Sequence, residues 1–137
     1  MIKQLEITLT AQRRGYHLIT PEIESQLHGT IKNGIANLLL QHTSAALTLN
    51  ENADPDVRTD FESFMDKLVP DGDKIFVHTL EGSDDMPAHL KSSVLGASLT
   101  IPVENGKLKL GIWQGIYLCE FRNHASSRKI FVTLIGE

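Results

Sequence analysis

The sequence predicts a single α+β domain spanning residues 1–137, with a largely antiparallel β-sheet or sandwich core and about three short helices. The length of 137 residues corresponds to about one domain at roughly 150 residues per domain. Many short segments alternate apolar and polar residues, which is the period of half-buried strands. These segments are concentrated towards the end of the chain instead of alternating with helices, which favours α+β over a doubly wound α/β fold.

In the first half of the chain, alternation and apolar runs predict four strands, at residues 5–9, 15–19, 34–40 and 45–49. The third of these is almost continuously apolar, so we expect it to be buried on both faces. Pro21 suits the first position of a short helix that Gly29 ends. Asp54 is a candidate N-cap directly before Pro55, where a second, amphipathic helix begins and runs to about Val69.

In the second half, the pattern predicts a strand, a short helix and then a cluster of strands. The predicted strand at 74–79 follows a Pro-Asp-Gly-Asp turn and leads into an acidic loop. Pro87 begins the third helix, which Gly96 ends, and Asp85 is interpreted as its cap. The remaining strands are predicted at 98–103, 107–112, 114–122 and 129–135, so the total is about eight or nine strands.

Composition argues against several function classes. Acidic residues outnumber basic ones by 17 to 13, giving a net charge of −4, which disfavours a nucleic-acid partner because such proteins carry a basic surface. No run of about 18 apolar residues is present, so we expect no membrane partner. The single cysteine, Cys119, cannot form an internal disulfide, and the first residues do not form a secretory signal. We therefore expect a cytoplasmic protein.

Polar residues able to do chemistry concentrate in two segments, 42–54 and 78–89. His42 and His78 end two predicted strands, and His89 lies in the first turn of a predicted helix. Three neutral imidazoles with one open position are typical of a catalytic zinc site. These residues are therefore candidate ligands of a divalent metal, with zinc the first choice. Their spacing matches no local metal motif, and the alternative is three hydrogen-bonded histidines without an ion.

The carboxylates of the same segments suggest acid–base chemistry and a hard cation. Glu51 is a candidate general acid or base because, unlike Asp54 and Asp56, it has no evident role at a helix start. Asp84 lies in an acidic loop where adjacent carboxylates could hold Mg²⁺ through a diphosphate group. The alternative for Asp84 is a solvated loop, whereas Asp85 is better explained as a helix cap. Either aspartate could also orient an imidazole of the histidine group as a hydrogen-bond acceptor.

Cationic and aromatic residues supply candidate substrate contacts. Lys91, near a helix start, and Arg122, after an apolar strand, could bind a phosphate or carboxylate. Arg128 is instead interpreted as an unpaired surface arginine. Trp113 lies between two nearby glycines and could form the aromatic wall of a small-molecule pocket, with Gln114 as a polar contact. The alternative for Trp113 is a buried anchor at a strand bend.

Four runs of the sequence together resemble one protein family over essentially the whole chain. They are HTSAALT at 42–48, NENADPDVR at 50–58, EGSDDMPAHLKSS at 81–93 and GIWQGIY at 111–117. On these runs the chain resembles the YjbQ-like family, often named secondary thiamine-phosphate synthase. The resemblance implies an α+β domain that assembles as a homotrimer, and a shared polar pocket where His42, His78 and His89 surround a metal. It also implies a weak thiamine-phosphate synthase activity.

Two functional hypotheses of different classes follow. As an enzyme, the protein would join a pyrimidine methyl diphosphate to a thiazole phosphate, with Arg122 and Lys91 stabilising the departing diphosphate. Magnesium would suit that diphosphate, whereas a histidine-bound zinc favours hydrolysis or elimination on a small phosphorylated metabolite. As a non-catalytic protein, a trimer would bind a metal or a metabolite. The candidate catalytic residues are Glu51, Asp84 and His42.

Overall fold

Two antiparallel β-sheets pack together at the centre of the molecule, and three helices lie around them. The structure is a computed structural model that describes residues 1–137. Every pair of neighbouring strands is antiparallel, so the predicted α+β class with a largely antiparallel core is confirmed. The strands are β1 (Ile2–Leu9), β2 (Gly15–Leu18), β3 (Gly34–Leu40), β4 (Ala45–Glu51), β5 (Ser98–Glu104), β6 (Lys107–Leu108), β7 (Gln114–Glu120) and β8 (Arg128–Gly136), and the helices are α1 (Thr20–Leu27), α2 (Pro55–Leu68) and α3 (Asp85–Leu95).

The larger sheet has five strands in the order β1-β8-β3-β5-β6. Its central strand β3 pairs with both β8 and β5, and its alternate residues Ala36, Leu38 and Leu40 lie in the core. On the other face, Ile35 and Leu39 are 40% and 44% exposed. The prediction that this strand is buried on both faces is therefore wrong, because its apolar run covers one inner and one outer face of the sheet.

The smaller sheet has three strands in the order β2-β7-β4, and its central strand β7 is buried on both faces. Ile116 and Leu118 belong to the core between the two sheets, whereas Tyr117 and Cys119 belong to a second apolar cluster on the opposite face. Successive side chains of a strand point to opposite faces. The smaller sheet is therefore the middle layer of the molecule.

Helices α2 and α3 cover the outer face of the smaller sheet, where Met65 and Ala88 join the second cluster. The predicted cap of α2 is confirmed, since the Asp54 side chain accepts a hydrogen bond from the backbone N–H of Asp56 at 2.9 Å. Helix α3 begins at Asp85, slightly before its predicted start. None of the three helices combines the length and the apolar character needed to cross a bilayer.

The segment between α2 and α3, residues 69–84, contains no strand, so the predicted strand at 74–79 is wrong. Ile75 and Val77 alternate with polar residues as in a strand, but no partner strand lies beside them, and they are 78% and 96% exposed. Strand β6 is also shorter than predicted, since the chain leaves the sheet after Leu108. The irregular segment carries His78 to the start of α3.

Candidate metal centre

One carboxylate oxygen at the start of α3 contacts two histidine rings. Asp85 Oδ2 lies 2.6 Å from Nε2 of His78 and 3.0 Å from Nε2 of His89. Asp85 and His89 are four residues apart on α3 and therefore lie on the same side of the helix. His78 comes from the irregular segment before the helix, and its ring centroid lies 5.5 Å from that of His89. Three candidate ligand residues are thus brought together.

The hydrogen bonds of His89 determine which of its nitrogens carries a proton. Its Nδ1 lies 2.8 Å from the carbonyl oxygen of Thr43, and a carbonyl can only accept, so Nδ1 donates. In the neutral ring, Nε2 then holds a lone pair directed at the Asp85 carboxylate. Such a lone pair repels the carboxylate unless a cation lies between them, either a second proton on the ring or a metal ion.

Arg122 holds the second oxygen of the same carboxylate. Its Nη1 donates to Asp85 Oδ1, its Nε donates to Asp84 Oδ2 at 2.9 Å, and its Nη2 donates to the carbonyl of Glu81 at 2.9 Å. Asp84 Oδ2 also accepts a hydrogen bond from the backbone N–H of Asn123 at 2.9 Å. The guanidinium therefore fixes the acidic loop to the start of α3 and orients Asp85 towards the histidines.

The surrounding groups keep both aspartates ionised. Burial tends to raise the pKa of Asp85, but the hydrogen bond from His78 and the charges of His89 and Arg122 outweigh it and hold that pKa below its usual range. Burial of Asp84 is outweighed by a backbone N–H and by Arg122, so its pKa is lowered as well. A carboxylate must be deprotonated to bind a metal, and Asp85 meets that condition at neutral pH.

The group of His78, Asp85 and His89 has the donor atoms of a metal site, and solvent can reach it. Its ligand atoms lie within 4.8 Å of one another, and two imidazole nitrogens with a carboxylate oxygen are typical zinc ligands. The Asp85 side chain is 2% exposed, whereas those of His78 and His89 are 41% and 31% exposed. The histidine side is therefore open to solvent, where a fourth ligand could enter.

Comparisons with known proteins identify the family. Residues 5–137 match the family described as UPF0047 protein YjbQ-like. The chain is 55% identical over 136 residues to the UPF0047 protein YjbQ of Salmonella typhimurium, and the match covers 98% of each chain. The chain belongs to the YjbQ-like family.

Further relatives and solved structures of YjbQ-like proteins agree with this assignment. The UPF0047 protein YugU of Bacillus subtilis is 42% identical over 137 residues, covering 99% of this chain and 100% of that protein. A YbjQ-like protein of unknown function from Sulfolobus solfataricus has a TM-score of 0.89 at 29% identity, covering 100% of this chain and 99% of the other. A conserved hypothetical protein from Thermus thermophilus has a TM-score of 0.86 at 34% identity, covering 96% and 99%. The resemblance predicted from the four sequence runs is confirmed.

In this YjbQ-like protein, His42 lies outside the group formed by His78, Asp85 and His89. Its Nε2 accepts a hydrogen bond from the backbone N–H of Lys129 at 2.8 Å, so that nitrogen already has a partner within the chain. The structure therefore brings together two of the three histidines that the sequence analysis proposed as ligands. A role of His42 towards a metal or a substrate stays a prediction.

The two cationic residues predicted to bind substrate both have acidic partners in this YjbQ-like chain. Lys91 is buried, its ammonium donates to Asp66 Oδ1 at 2.5 Å, and it lies 5.6 Å from the centroid of the Phe121 ring. Arg122 is bound by two aspartates, as described above. Each would contact a substrate only by exchanging these partners, so their substrate-binding roles stay predictions.

The remaining predicted site residues lie at strand ends, Glu51 in β4 and Gln114 in β7, or in the turn before β7, which contains Trp113. Glu51 Oε2 accepts hydrogen bonds from the backbone N–H groups two and three residues further on, each at 3.0 Å, which supports the turn into α2. Gln114 Oε1 accepts from the backbone N–H of Gly111 at 2.8 Å and closes the turn that carries Trp113. Trp113 is 62% exposed, so the alternative of a buried anchor is wrong. The catalytic role of Glu51 and the pocket role of Trp113 and Gln114 stay predictions.

Arg128 is 5% exposed, so its interpretation as an unpaired surface arginine is wrong. Its Nε and Nη2 donate to the two carboxylate oxygens of Glu120 at 2.7 and 2.5 Å, and Nη2 also donates to the carbonyl of Ser44 at 3.3 Å. Glu120 ends β7 and Arg128 begins β8. This buried ion pair therefore joins the smaller sheet to the larger one.

Sequence reasoning considered Asp85 as a helix cap or as an acceptor that orients an imidazole, but not as a candidate metal ligand. Asp84 occupies the N-cap position of α3, and it makes no side-chain capping hydrogen bond. The signal that could have found Asp85 is its spacing of four residues from His89, which places both on one side of a helix. The contact with His78 had no comparable signal, because the segment that carries His78 has no regular structure.

Proposed function

We propose that this YjbQ-like protein is an enzyme that binds a divalent ion, zinc, through His78, Asp85 and His89. Its substrate would be a small phosphorylated metabolite, and its reaction hydrolysis or elimination. The observation that carries the proposal is the hydrogen bond from His89 to Thr43, which leaves the Nε2 lone pair directed at the Asp85 carboxylate. A divalent ion at this point would replace a repulsive contact by two ligand bonds.

The donor set supports zinc over magnesium, because magnesium prefers oxygen ligands and an octahedral shell. A bound zinc ion supplies a Lewis acid that stabilises negative charge on a phosphoryl or leaving-group oxygen. The neighbouring residues of the chain would hold the ligands in place, with Thr43 setting the tautomer of His89 and Arg122 the orientation of Asp85. The exposed sides of the two rings leave room for a substrate.

A weak thiamine-phosphate synthase activity is the second candidate. It is supported by the exposed indole ring of Trp113, which could stack on a pyrimidine. The acidic loop at Asp84 could hold Mg²⁺ with a diphosphate. Arg122 and Lys91 would have to leave their aspartate partners to stabilise the departing diphosphate, which agrees with a slow, secondary reaction.

We also propose that the active form is a cytoplasmic homotrimer. The segment 69–84 exposes Ile75, Val77 and Leu80 at 78%, 96% and 100%, and apolar side chains exposed to this degree are typical of an interface. The single cysteine, Cys119, is buried and free, which suits a reducing compartment. Sedimentation equilibrium should give three times the chain mass of 15.2 kDa, and a 15.2 kDa species would reject the trimer.

Elemental analysis of untagged protein tests the metal site. We expect about one zinc per chain in the wild type and almost none in His78→Ala or His89→Ala. The matched control is His28→Ala, since His28 is exposed and lies outside the candidate group. His42→Ala shows whether the third predicted histidine contributes. Wild-type protein that binds no zinc even after reconstitution would contradict the proposal.

A turnover assay then separates an enzyme from a binding protein. Phosphorylated metabolites are screened for zinc-dependent release of phosphate or of an elimination product, and thiamine-phosphate synthase activity is measured beside them with magnesium. We expect Asp85→Asn to abolish the zinc-dependent reaction. Stoichiometric zinc with no turnover of any substrate would favour the non-catalytic binding protein.

A further inference from the structure

A polar cavity lies between β2, the loop before it and α2, and it shares no residue with the group of His78, Asp85 and His89. Its volume is about 610 Å³, which lies within the range of small-molecule sites. Two of its nine lining residues are apolar, so it does not suit an uncharged apolar ligand. The polar side chains that carry the argument are Arg13, Arg14, His17, Arg58 and Glu62.

The arginines of this cavity differ in their partners. Arg14 donates to Asp71 at 2.6 Å and to Asp66 at 2.9 Å, and these hydrogen bonds raise its pKa against the effect of burial. Arg13 and Arg58 form no ion pair, since no carboxylate oxygen lies within 4.0 Å of either guanidinium. Two of the three guanidinium charges in the cavity are therefore not neutralised by the chain.

Two buried polar atoms of the same cavity residues have no hydrogen-bond partner. They are Nη1 of Arg58 and the hydroxyl of Tyr16, and they are the two such side-chain atoms that the whole chain contains. Leaving a buried polar group unpaired is unfavourable, and it is more unfavourable for a charged group than for a neutral one. Both atoms belong to residues that line one cavity, and the Arg58 guanidinium at its wall therefore has hydrogen-bonding capacity that the chain does not satisfy.

The local backbone supports a fixed site. His17 Nε2 lies 2.7 Å from the carbonyl of Arg13 and must donate to it, which ties the loop before β2 to the strand. Glu62 on α2 has no cationic partner within 4.0 Å. Its carboxylate can therefore accept a hydrogen bond from a ligand. The arginines can bind an anionic group, and the carboxylate of Glu62 can accept a hydrogen bond. A matching ligand therefore carries both an anionic group and a hydrogen-bond donor.

We propose that this cavity binds a small phosphorylated molecule, with its phosphoryl group on Arg58 and Arg13 and a hydroxyl or amino group on Glu62. Guanidinium groups match phosphoryl oxygens in geometry and charge, and those of Arg58 and Arg13 line the cavity without an acidic partner in the chain. The site is independent of the proposed zinc reaction, because it uses none of the candidate metal ligands.

Titration calorimetry with inorganic phosphate and with diphosphate, in the presence of a chelator, tests the site. We expect saturable binding to the wild type and a Kd raised at least about tenfold in Arg58→Gln, since a charge-assisted hydrogen bond is lost. The matched control is Lys67→Gln, which removes one exposed positive charge from the same helix, outside the cavity. Its Kd should change by less than about twofold. Arg13→Gln, at an exposed position, should also weaken binding and covers the case in which the Arg58 variant does not fold.

The comparison with His89→Ala separates this site from the metal centre. Phosphate binding that is kept in His89→Ala and lost in Arg58→Gln supports the cavity. Binding lost in His89→Ala and kept in both arginine variants would overturn the cavity and assign the anion to the metal centre. Absence of saturable binding, or equal weakening by Arg58→Gln and Lys67→Gln, would also overturn it.

Discussion

Two buried carboxylates, Glu120 and Asp85, each meet an arginine, yet their surroundings differ. Glu120 is 0% exposed, and both of its oxygens accept from one guanidinium, that of Arg128, at 2.7 and 2.5 Å. Asp85 is also buried, but only one of its oxygens faces an arginine. The other oxygen lies against two imidazole nitrogens.

This difference separates a carboxylate that is paired within the chain from one that belongs to a candidate metal centre. The partner of Glu120 is permanently charged and occupies both carboxylate oxygens, and both side chains of the pair are buried. The partners of Asp85 are two bases that can exchange a proton for a metal ion, and their rings are open to solvent. Burial alone therefore does not distinguish the two carboxylates, whereas the chemistry of their partners does.

The largest effect is expected from breaking the structural pair. Glu120→Gln leaves the buried Arg128 guanidinium without a counter-charge, so we expect the free energy of unfolding to fall by about 3–5 kcal/mol. Urea denaturation measures this change. The control is Glu104→Gln, whose pair with Lys109 is more than half exposed on both sides and should contribute at most about 1 kcal/mol. Equal losses in the two variants would show that burial does not distinguish these pairs.

The second effect concerns Asp85, the carboxylate of the candidate metal centre. Asp85→Asn keeps the size of the side chain but removes the negative ligand, so we expect zinc affinity to fall by roughly hundredfold. Competition with a fluorescent chelator measures the affinity. Glu120→Gln, under conditions where it stays folded, should retain wild-type zinc affinity. If it loses zinc as Asp85→Asn does, the two carboxylates do not have separate roles.

The same comparison shows how far sequence alone could predict this molecule. The alternation along β1 was enough to predict a strand, and the position of Asp54 before a proline was enough to predict a helix cap, because both are local rules. The ion pair of Glu120 and Arg128 was not predictable, since it joins strands of different sheets. The candidate centre at Asp85 was predicted in part, because both of its histidines, His78 and His89, were named as candidate ligands.

What sequence reasoning missed at the centre depends on irregular structure. The segment before α3 shows the alternation of a strand, yet it has no pairing partner, and it places His78 against Asp85 through loop geometry. Likewise, the unpaired atoms of Arg58 and Tyr16 follow from the packing of α2 on β2, which no local pattern encodes. Local rules thus predicted most elements, while contacts between them had to be observed.

A third, smaller effect is expected at Asp66, a carboxylate that is paired with two cations but remains partly exposed to solvent. Asp66 accepts from the buried Lys91 at 2.5 Å and from Arg14 at 2.9 Å, but its own side chain is 41% exposed. Asp66→Asn should therefore lower the free energy of unfolding by about 1–2 kcal/mol, less than Glu120→Gln, because water can reach the site. Urea denaturation beside Asp60→Asn, an exposed control on the same helix, measures it. No difference between Asp66→Asn and Asp60→Asn would contradict the assignment.

The smallest effect concerns His42, the histidine that the structure places outside the centre. Burial and the charges of Arg128 and Lys129 lower its pKa in the folded protein, against an opposing effect of Glu120. The unfolded chain therefore takes up the proton more readily, so His42 contributes stability above its unfolded pKa of about 6.5 and loses it as pH falls towards the folded value.

His42→Gln tests this pH dependence, since glutamine keeps an oxygen that can accept from the Lys129 N–H. Without metal, the free energy of unfolding of the wild type should fall more steeply between about pH 7 and pH 5 than that of His42→Gln. Subtracting the two curves removes the other histidines, which both proteins share. Parallel curves would mean that His42 titrates in the folded protein as it does in the unfolded chain, and that its hydrogen bond to Lys129 does not restrain its protonation.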